Sequence, residues 1–204
     1  MMHPLVGVAV AYLLGSIPAA YIAGRIRGID LRDHGSGNLG ATNVFRVLGA
    51  KVGAVVMAFD VAKGALPVYF LAGVTGVERR GWWAIGYGVA AIIGHVRPVY
   101  LLWKGGGKGV ATSAGVFLAL SPIAAGVTTA IWIAVLLRSG YVSLASLTAA
   151  FVLPVGVLVA EGAHSPLFYV AMALAIFVLW THRANIGRLR RGEESRFGGK
   201  TKAA

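Results

Sequence analysis

Cysteine is absent from this 204-residue chain, which excludes disulfides, thiolate nucleophiles and cysteine-ligated metals. Acidic residues are scarce: seven Asp and Glu stand against nineteen Lys and Arg, for a formal charge of +12. With so few carboxylates and no histidine cluster, no metal site is expected. Charge of either sign is thin as well, at 13% of residues, whereas 57% are hydrophobic and the mean hydropathy is +0.76. A soluble domain of this size cannot hide that much apolar surface, so lipid is the solvent for most of it. The basic balance suits nucleic acid, a membrane surface or small anionic substrates. The hydropathy argues against nucleic acid. No Lys or Arg precedes the first apolar run, so Met1-Met2-His3-Pro4 reads as the start of a retained helix rather than of a cleaved signal. The length suits one integral-membrane domain over residues 1–204, with a flexible tail after about residue 195.

A spanning helix needs about 20 mostly apolar residues. Leu5–Gly24, Val52–Val74, Trp82–Trp103 and Tyr141–Ala160 meet that length, and Pro166–Thr181 is shorter but apolar. Val110–Leu137 is interrupted at Ser121-Pro122, and Pro commonly starts a new helix, so two short helices are expected there. Positive charge decides the count. Arg25, Arg27, Arg32, Arg46 and Lys51 lie in the first loop. Lys104 and Lys108 follow the third apolar run, and Arg183, Arg188, Arg190, Arg191 and Arg196 lie in the tail. Seven spans put all three groups inside; six do not. The expected fold is therefore an all-α polytopic bundle of seven spans, two of them short, with the N-terminus out and the C-terminus in. The Glu78-Arg79-Arg80 loop then falls outside, against the charge bias.

Three polar islands collect on the inner side. The first is Gly35-Ser36-Gly37-Asn38-Leu39-Gly40-Ala41-Thr42-Asn43, followed by Arg46. Small residues let a backbone approach an anion, and Arg binds phosphate in a fork. Ser36 to Asn38 are candidate caps for a following helix. The plainer alternative is a turn with Arg46 as a headgroup anchor. The second island holds Gly94-His95, Arg97-Pro98, Lys104-Gly105-Gly106-Gly107-Lys108-Gly109 and Thr112. Glycines between lysines suit a phosphate cradle. Lys108 is followed by Gly109, so this is not a Walker A loop, and a flexible basic connection is the alternative. The third holds His182, Arg183, Asn185, Arg188, Glu193 and Glu194. In a helix His182, Asn185 and Arg188 share a face. A basic tail that merely solvates the last helix is the competing reading. Asp60 and Lys63 lie inside the second span, spaced to pair with each other or with a neighbouring loop. Ser143 begins the sixth span within reach of the same side.

Taken in order, these motifs resemble the bacterial acyl-phosphate glycerol-3-phosphate acyltransferases of the small integral-membrane type, the PlsY family. The likeness runs from Gly15-Ser16-Ile17-Pro18 through the first island, Asp60-Val61-Ala62-Lys63-Gly64, the second island and Tyr141-Val142-Ser143-Leu144 to the third island. Two departures stand out. Three glycines separate Lys104 from Lys108 where the family usually has two, and Arg97 replaces an aromatic. The resemblance implies acyl transfer from acyl phosphate to glycerol 3-phosphate in the inner membrane. It implies no cofactor, coenzyme A or acyl carrier protein. It places Ser36, Asn38, Thr42, Asn43 and Arg46 in the catalytic region, with His182 and Asn185 contributing to activity. Substrate binding falls to Lys104, Gly105, Gly106, Gly107, Lys108 and Thr112, with His95, Ser143 and Arg188. Asp60, Lys63 and Glu194 are structural. No His is followed five places on by an acidic residue, and no Ser-His-Asp arrangement is apparent, so neither of those acyl-transfer schemes is expected. A transporter for phosphate esters is the rival class, with a purely structural membrane protein third.

Overall fold

A computed structural model describes residues 1–78 and 81–198. Arg79 and Arg80, and the chain end from Gly199, lie outside the described residues. Among the described residues there is no strand; the chain is a succession of ten α-helices and two short 3-10 turns. They fall into two units, Met1–Pro122 and Ile123–Ala204.

In the first unit, α1 (Pro4–Ser16) starts under a His3 cap with Pro4 in its first turn. The first apolar run is not one continuous helix. It breaks at Ile17-Pro18 and resumes as α2 (Ala19–Ile26), with Pro18 as the N-cap. Pro cannot donate to the ladder, so a break there is expected on covalent grounds. Next come α3 (Ala41–Leu48), α4 (Ala50–Thr75), α5 (Trp82–Val96) and α6 (Val110–Leu120). Packing relies on small residues, as in lipid, where apolar side chains gain little by leaving their solvent. A Cβ on Gly15 of α1 would strike the Ala91 carbonyl of α5. One on Gly64 of α4 would strike the Thr112 carbonyl of α6, and one on Gly115 of α6 the Val61 carbonyl. Backbones therefore touch directly at the α1–α5 and α4–α6 crossings.

The second unit contains α7 (Pro122–Ser139), α8 (Val142–Glu161), α9 (Pro166–Thr181) and α10 (Arg183–Arg190). The break falls at Ser121-Pro122, where the sequence places it. Trp132 Nε1 donates to Ser146 Oγ at 3.3 Å and ties α7 to α8. The α9–α10 pair bends by 58° at His182. The Phe197 amide donates to the Gly140 carbonyl at 2.7 Å, so the tail stays anchored at least that far.

Among the described residues, five segments are long and apolar enough to cross a bilayer: Pro4–Ile26, Ala50–Thr75, Trp82–Leu101, Pro122–Ser139 and Val142–Glu161. Counting the bent α9–α10 pair as one span makes six, and α6 is a shorter apolar helix of 11 residues.

Candidate active site

The first island is built around Asn43. This side chain is 1% exposed and spends its amide on the backbone. Its Nδ2 donates to the carbonyls of Leu31 and His34 at 3.2 and 3.0 Å, and its Oδ1 accepts from the Ser36 amide at 2.8 Å. Asn43 thus staples the loop to α3. Ser36 to Asn38 do not cap that helix; its N-cap is Gly40, with no side-chain cap. The Ser36 amide is drawn to Asn43 instead, which leaves the Ser36 side chain at the exposed edge. The first-turn amides of α3 have no intrahelical acceptor, as at any helix start. Thr42 and Asn38 are half-buried beside them. Arg46 lies in the last turn, half-buried, its side chain without a hydrogen bond or ion pair among the described residues.

Asp30 was not singled out by sequence reasoning. Its carboxylate caps the Leu31–Asp33 turn and binds Arg32 Nη2 at 2.6 Å and Arg25 Nη2 at 3.1 Å. Both guanidiniums lie over the Tyr21 ring. The side-chain bond from Arg32, followed by that residue's backbone amide, holds the Asp30 carboxyl well below the usual carboxylate range. The available signal was an Asp two places before an Arg at the start of a turn.

In the second island each glycine has its own reason. Gly105 takes φ +75°, open only to residues that tolerate the left-handed region. A Cβ on Gly106 would strike the Val96 carbonyl, and one on Gly107 would strike the His95 ring. Just upstream, Leu102 and Trp103 both have positive φ, 51° and 60°, an unusual conformation for side-chain-bearing residues. Trp103 Nε1 donates to Tyr12 Oη at 2.8 Å, and Tyr12 Oη donates to the Arg97 carbonyl at 2.9 Å, which pins this turn to α1. Lys104 extends from it, exposed; its amide donates to the Leu101 carbonyl at 3.0 Å, and its side chain has no hydrogen bond or ion pair among the described residues. Lys108 is half-buried. Thr112 is fully buried, and its Oγ1 has no hydrogen-bond partner among the described residues.

These two islands meet. A Cβ on Gly105 would lie 3.4 Å from Arg32 and 3.8 Å from Leu39. Leu101 packs on the cluster of Leu31, Leu39, Val44 and Val56 that underlies the first loop. Beneath the second loop, Asp60 pairs with Lys63 at 2.8 Å, and His95 Nδ1 lies 3.5 Å from the same carboxylate oxygen.

The third island lies in the second unit. His182 caps α10, and its Nδ1 is 2.9 Å from the Val178 carbonyl. A carbonyl only accepts, so this contact puts a proton on Nδ1. Asn185 Nδ2 and Arg188 Nε each donate to Glu194 at 2.6 Å. Glu193 pairs instead with Arg191 on the exposed side. Ser143 is buried, and its Oγ makes no hydrogen bond of ordinary geometry among the described residues. It still lies close enough to help hold the Glu194 carboxyl down. Partial burial pushes that carboxyl up, and Asn185, Ser143 and Arg188 together outweigh the burial.

Comparison with known proteins shows the family. The sequence model of a family described as glycerol-3-phosphate acyltransferase matches residues 5–192. A glycerol-3-phosphate acyltransferase of Trichlorobacter lovleyi is 45% identical over 198 residues, covering 97% of this chain and 99% of the relative. The crystal structure of PlsY, an integral membrane glycerol 3-phosphate acyltransferase, in its glycerol 3-phosphate form, superposes with a TM-score of 0.88 at 40% identity over 96% of both chains. Its lysophosphatidic acid form gives 0.83 at 39% identity, over 96% of this chain and 95% of that one. The chain belongs to the glycerol-3-phosphate acyltransferase family, PlsY type.

Proposed function

We propose that the chain transfers a fatty acyl group from acyl phosphate to the 1-hydroxyl of glycerol 3-phosphate, releasing phosphate and forming lysophosphatidic acid. The observation that carries this reading is the contact of the two islands at Gly105, with Arg46 and Lys104 unpaired among the described residues. Cations without protein partners, beside backbone that a Cβ would obstruct, suit a site for anionic esters. The solved relatives support the acceptor and the product, since they are a glycerol 3-phosphate form and a lysophosphatidic acid form of PlsY.

Acyl phosphate is a mixed anhydride with a good leaving group. The protein has to bring two phosphates together, stabilise the oxyanion at the acyl carbon and receive one proton. The acceptor hydroxyl attacks the acyl carbon, the tetrahedral oxyanion collapses, and the acyl–phosphate bond breaks. Glycine-loop amides serve the oxyanion. The departing phosphate takes the hydroxyl proton, and within the second unit Asn185 and Arg188 hold Glu194 and with it the third island. The reaction consumes no cofactor, coenzyme A or acyl carrier protein. The acyl chain fits the apolar groove between α2 and α4, about 410 Å³, lined by Ile17, Ile22, Val52, Val56 and Phe59.

The topology proposed with this chemistry has seven spans, with the N-terminus outside and the C-terminus inside; of the two helices flanking Ser121-Pro122 that the sequence reads as short, α6 has 11 residues, whereas α7 has 18 and is long enough to cross. At 1.5 Å per residue α6 is about 16 Å long, so neighbouring helices must shield its ends. The site then opens to the cytoplasmic face of the bacterial inner membrane, where the basic loops gather.

A purified-protein assay offering acyl phosphate, acyl-coenzyme A or acyl carrier protein tests the donor. Lysophosphatidic acid should form with acyl phosphate alone, one phosphate released per acyl transferred. Equal rates with a thioester donor would refute the donor assignment.

A further inference from the structure

The cradle reading of residues 104–109 does not say how the buried charge beneath the loop, His95 with Asp60 and Lys63, takes part in it. Asp60 on α4 and His95 near the end of α5 are 2% and 6% exposed. Asp60 Oδ1 is 2.8 Å from Lys63 Nζ, which also donates to the Ile17 carbonyl at 2.9 Å. Lys63 alone therefore balances the charge of Asp60, and the carbonyl at the Ile17-Pro18 break accepts a further hydrogen bond from Lys63. His95 is surplus to that balance, yet its Nδ1 lies 3.5 Å from the same carboxylate oxygen. A carboxylate accepts and does not donate, so this contact favours the proton on Nδ1 and leaves Nε2 as the acceptor edge. That edge faces the loop: Nε2 is the first atom a Cβ on Gly107 would strike. The backbone of the same histidine holds the loop too, since the Gly107 amide donates to the His95 carbonyl at 3.2 Å.

We infer that Asp60, acting through His95, is a positioning residue for the glycine loop. It fixes the ring on which Gly107 rests, and through that loop the reach of Lys104 and Lys108 toward a phosphate. A buried ion pair that served only to hold helices together would not need an imidazole, oriented by its carboxylate, under a loop at the end of α5. The inference rests on the proposal that this loop holds the phosphate of glycerol 3-phosphate. It concerns binding of that substrate, whereas proton transfer is assigned elsewhere.

Steady-state kinetics on the purified full chain test it, with acyl phosphate and glycerol 3-phosphate varied in turn. His95→Asn keeps a donor near the Nδ1 position and removes the ring from beneath Gly107. Asp60→Asn keeps size and removes the carboxylate. Each should raise KM for glycerol 3-phosphate at least about tenfold, with KM for acyl phosphate within about twofold and kcat within about threefold. His95→Gln, which returns a polar atom to the Nε2 position, should recover part of the loss. Unchanged KM for glycerol 3-phosphate overturns the inference. So does a shift confined to acyl phosphate, or a parallel loss of kcat and both KM values with a fall in thermal midpoint. If Asp60→Asn does not fold, His95→Asn decides alone. No saturable turnover of glycerol 3-phosphate by the unaltered chain removes the functional reading and the inference together. Normal turnover by the unaltered chain, matched by the variants, removes the inference only.

Discussion

Asn185 Nδ2 and Glu194 Oε1 stand 2.6 Å apart, and Arg188 holds the other carboxylate oxygen at the same distance. Glu194→Gln therefore weakens both bonds and should cost about 2 kcal/mol of stability at neutral pH. The carboxyl is depressed in the folded state, so its contribution is full above its ordinary value of 4.5 and drains as pH falls below it. Thermal midpoints in detergent should differ between the unaltered chain and Glu194→Gln at pH 7, and the gap should narrow at about pH 4. A gap that widens on acidification contradicts the assignment.

Asn43 needs both faces of its amide. Asn43→Asp places an acceptor against the Leu31 and His34 carbonyls and should be at least as damaging as Asn43→Ala. A loss of about 3 kcal/mol in thermal or denaturant stability is expected for either, together with loss of turnover. Near-normal stability of Asn43→Asp would remove the staple role.

Lys63→Met leaves the Asp60 carboxylate and the Ile17 carbonyl without their cation. Breaking a buried pair from one side costs about 3–5 kcal/mol, whereas replacing both members is far gentler. The double variant Asp60→Asn/Lys63→Met should thus be more stable than Lys63→Met alone. Strict additivity of the two single effects would show that the pair is not coupled.

Two glycines of α4 should behave oppositely. Gly64→Ala drives a methyl into the Thr112 carbonyl and must part α4 from α6. Gly73 has nothing within 4 Å of its Cβ position, so Gly73→Ala should leave stability unchanged or raise it by up to about 1 kcal/mol. Thermal melts of the two variants, run side by side, check the backbone contact.

Much of this was legible in the sequence because it depends on near neighbours. Pro122 at a first helical position marks the α6–α7 break, and the spacing of Asp60 and Lys63 foretells their pair. Pro18 carried the same kind of signal, but hydropathy averaged over Leu5–Gly24 hides it, and only the backbone reveals the α1–α2 break. What comes from distant segments was not legible. The ring of His95 under Gly107 explains why the loop is glycine there, and nothing within Lys104–Lys108 points to it. Asn43 looked like a ligand residue, because a side chain that bonds only backbone has no sequence signature separate from one that bonds substrate. Asp30 was overlooked because the arginines it clamps are expected inside on charge grounds alone.

The central claim is that the joined loops of the first unit hold the reacting phosphates, with Arg46 as a direct ligand. Turnover of acyl phosphate and glycerol 3-phosphate by purified Arg46→Ala, with the thermal midpoint measured alongside, tests it most directly. The account predicts a folded protein whose rate falls at least about a hundredfold, as expected when a charge-stabilising donor is lost. A folded variant within about threefold of the unaltered rate would contradict it.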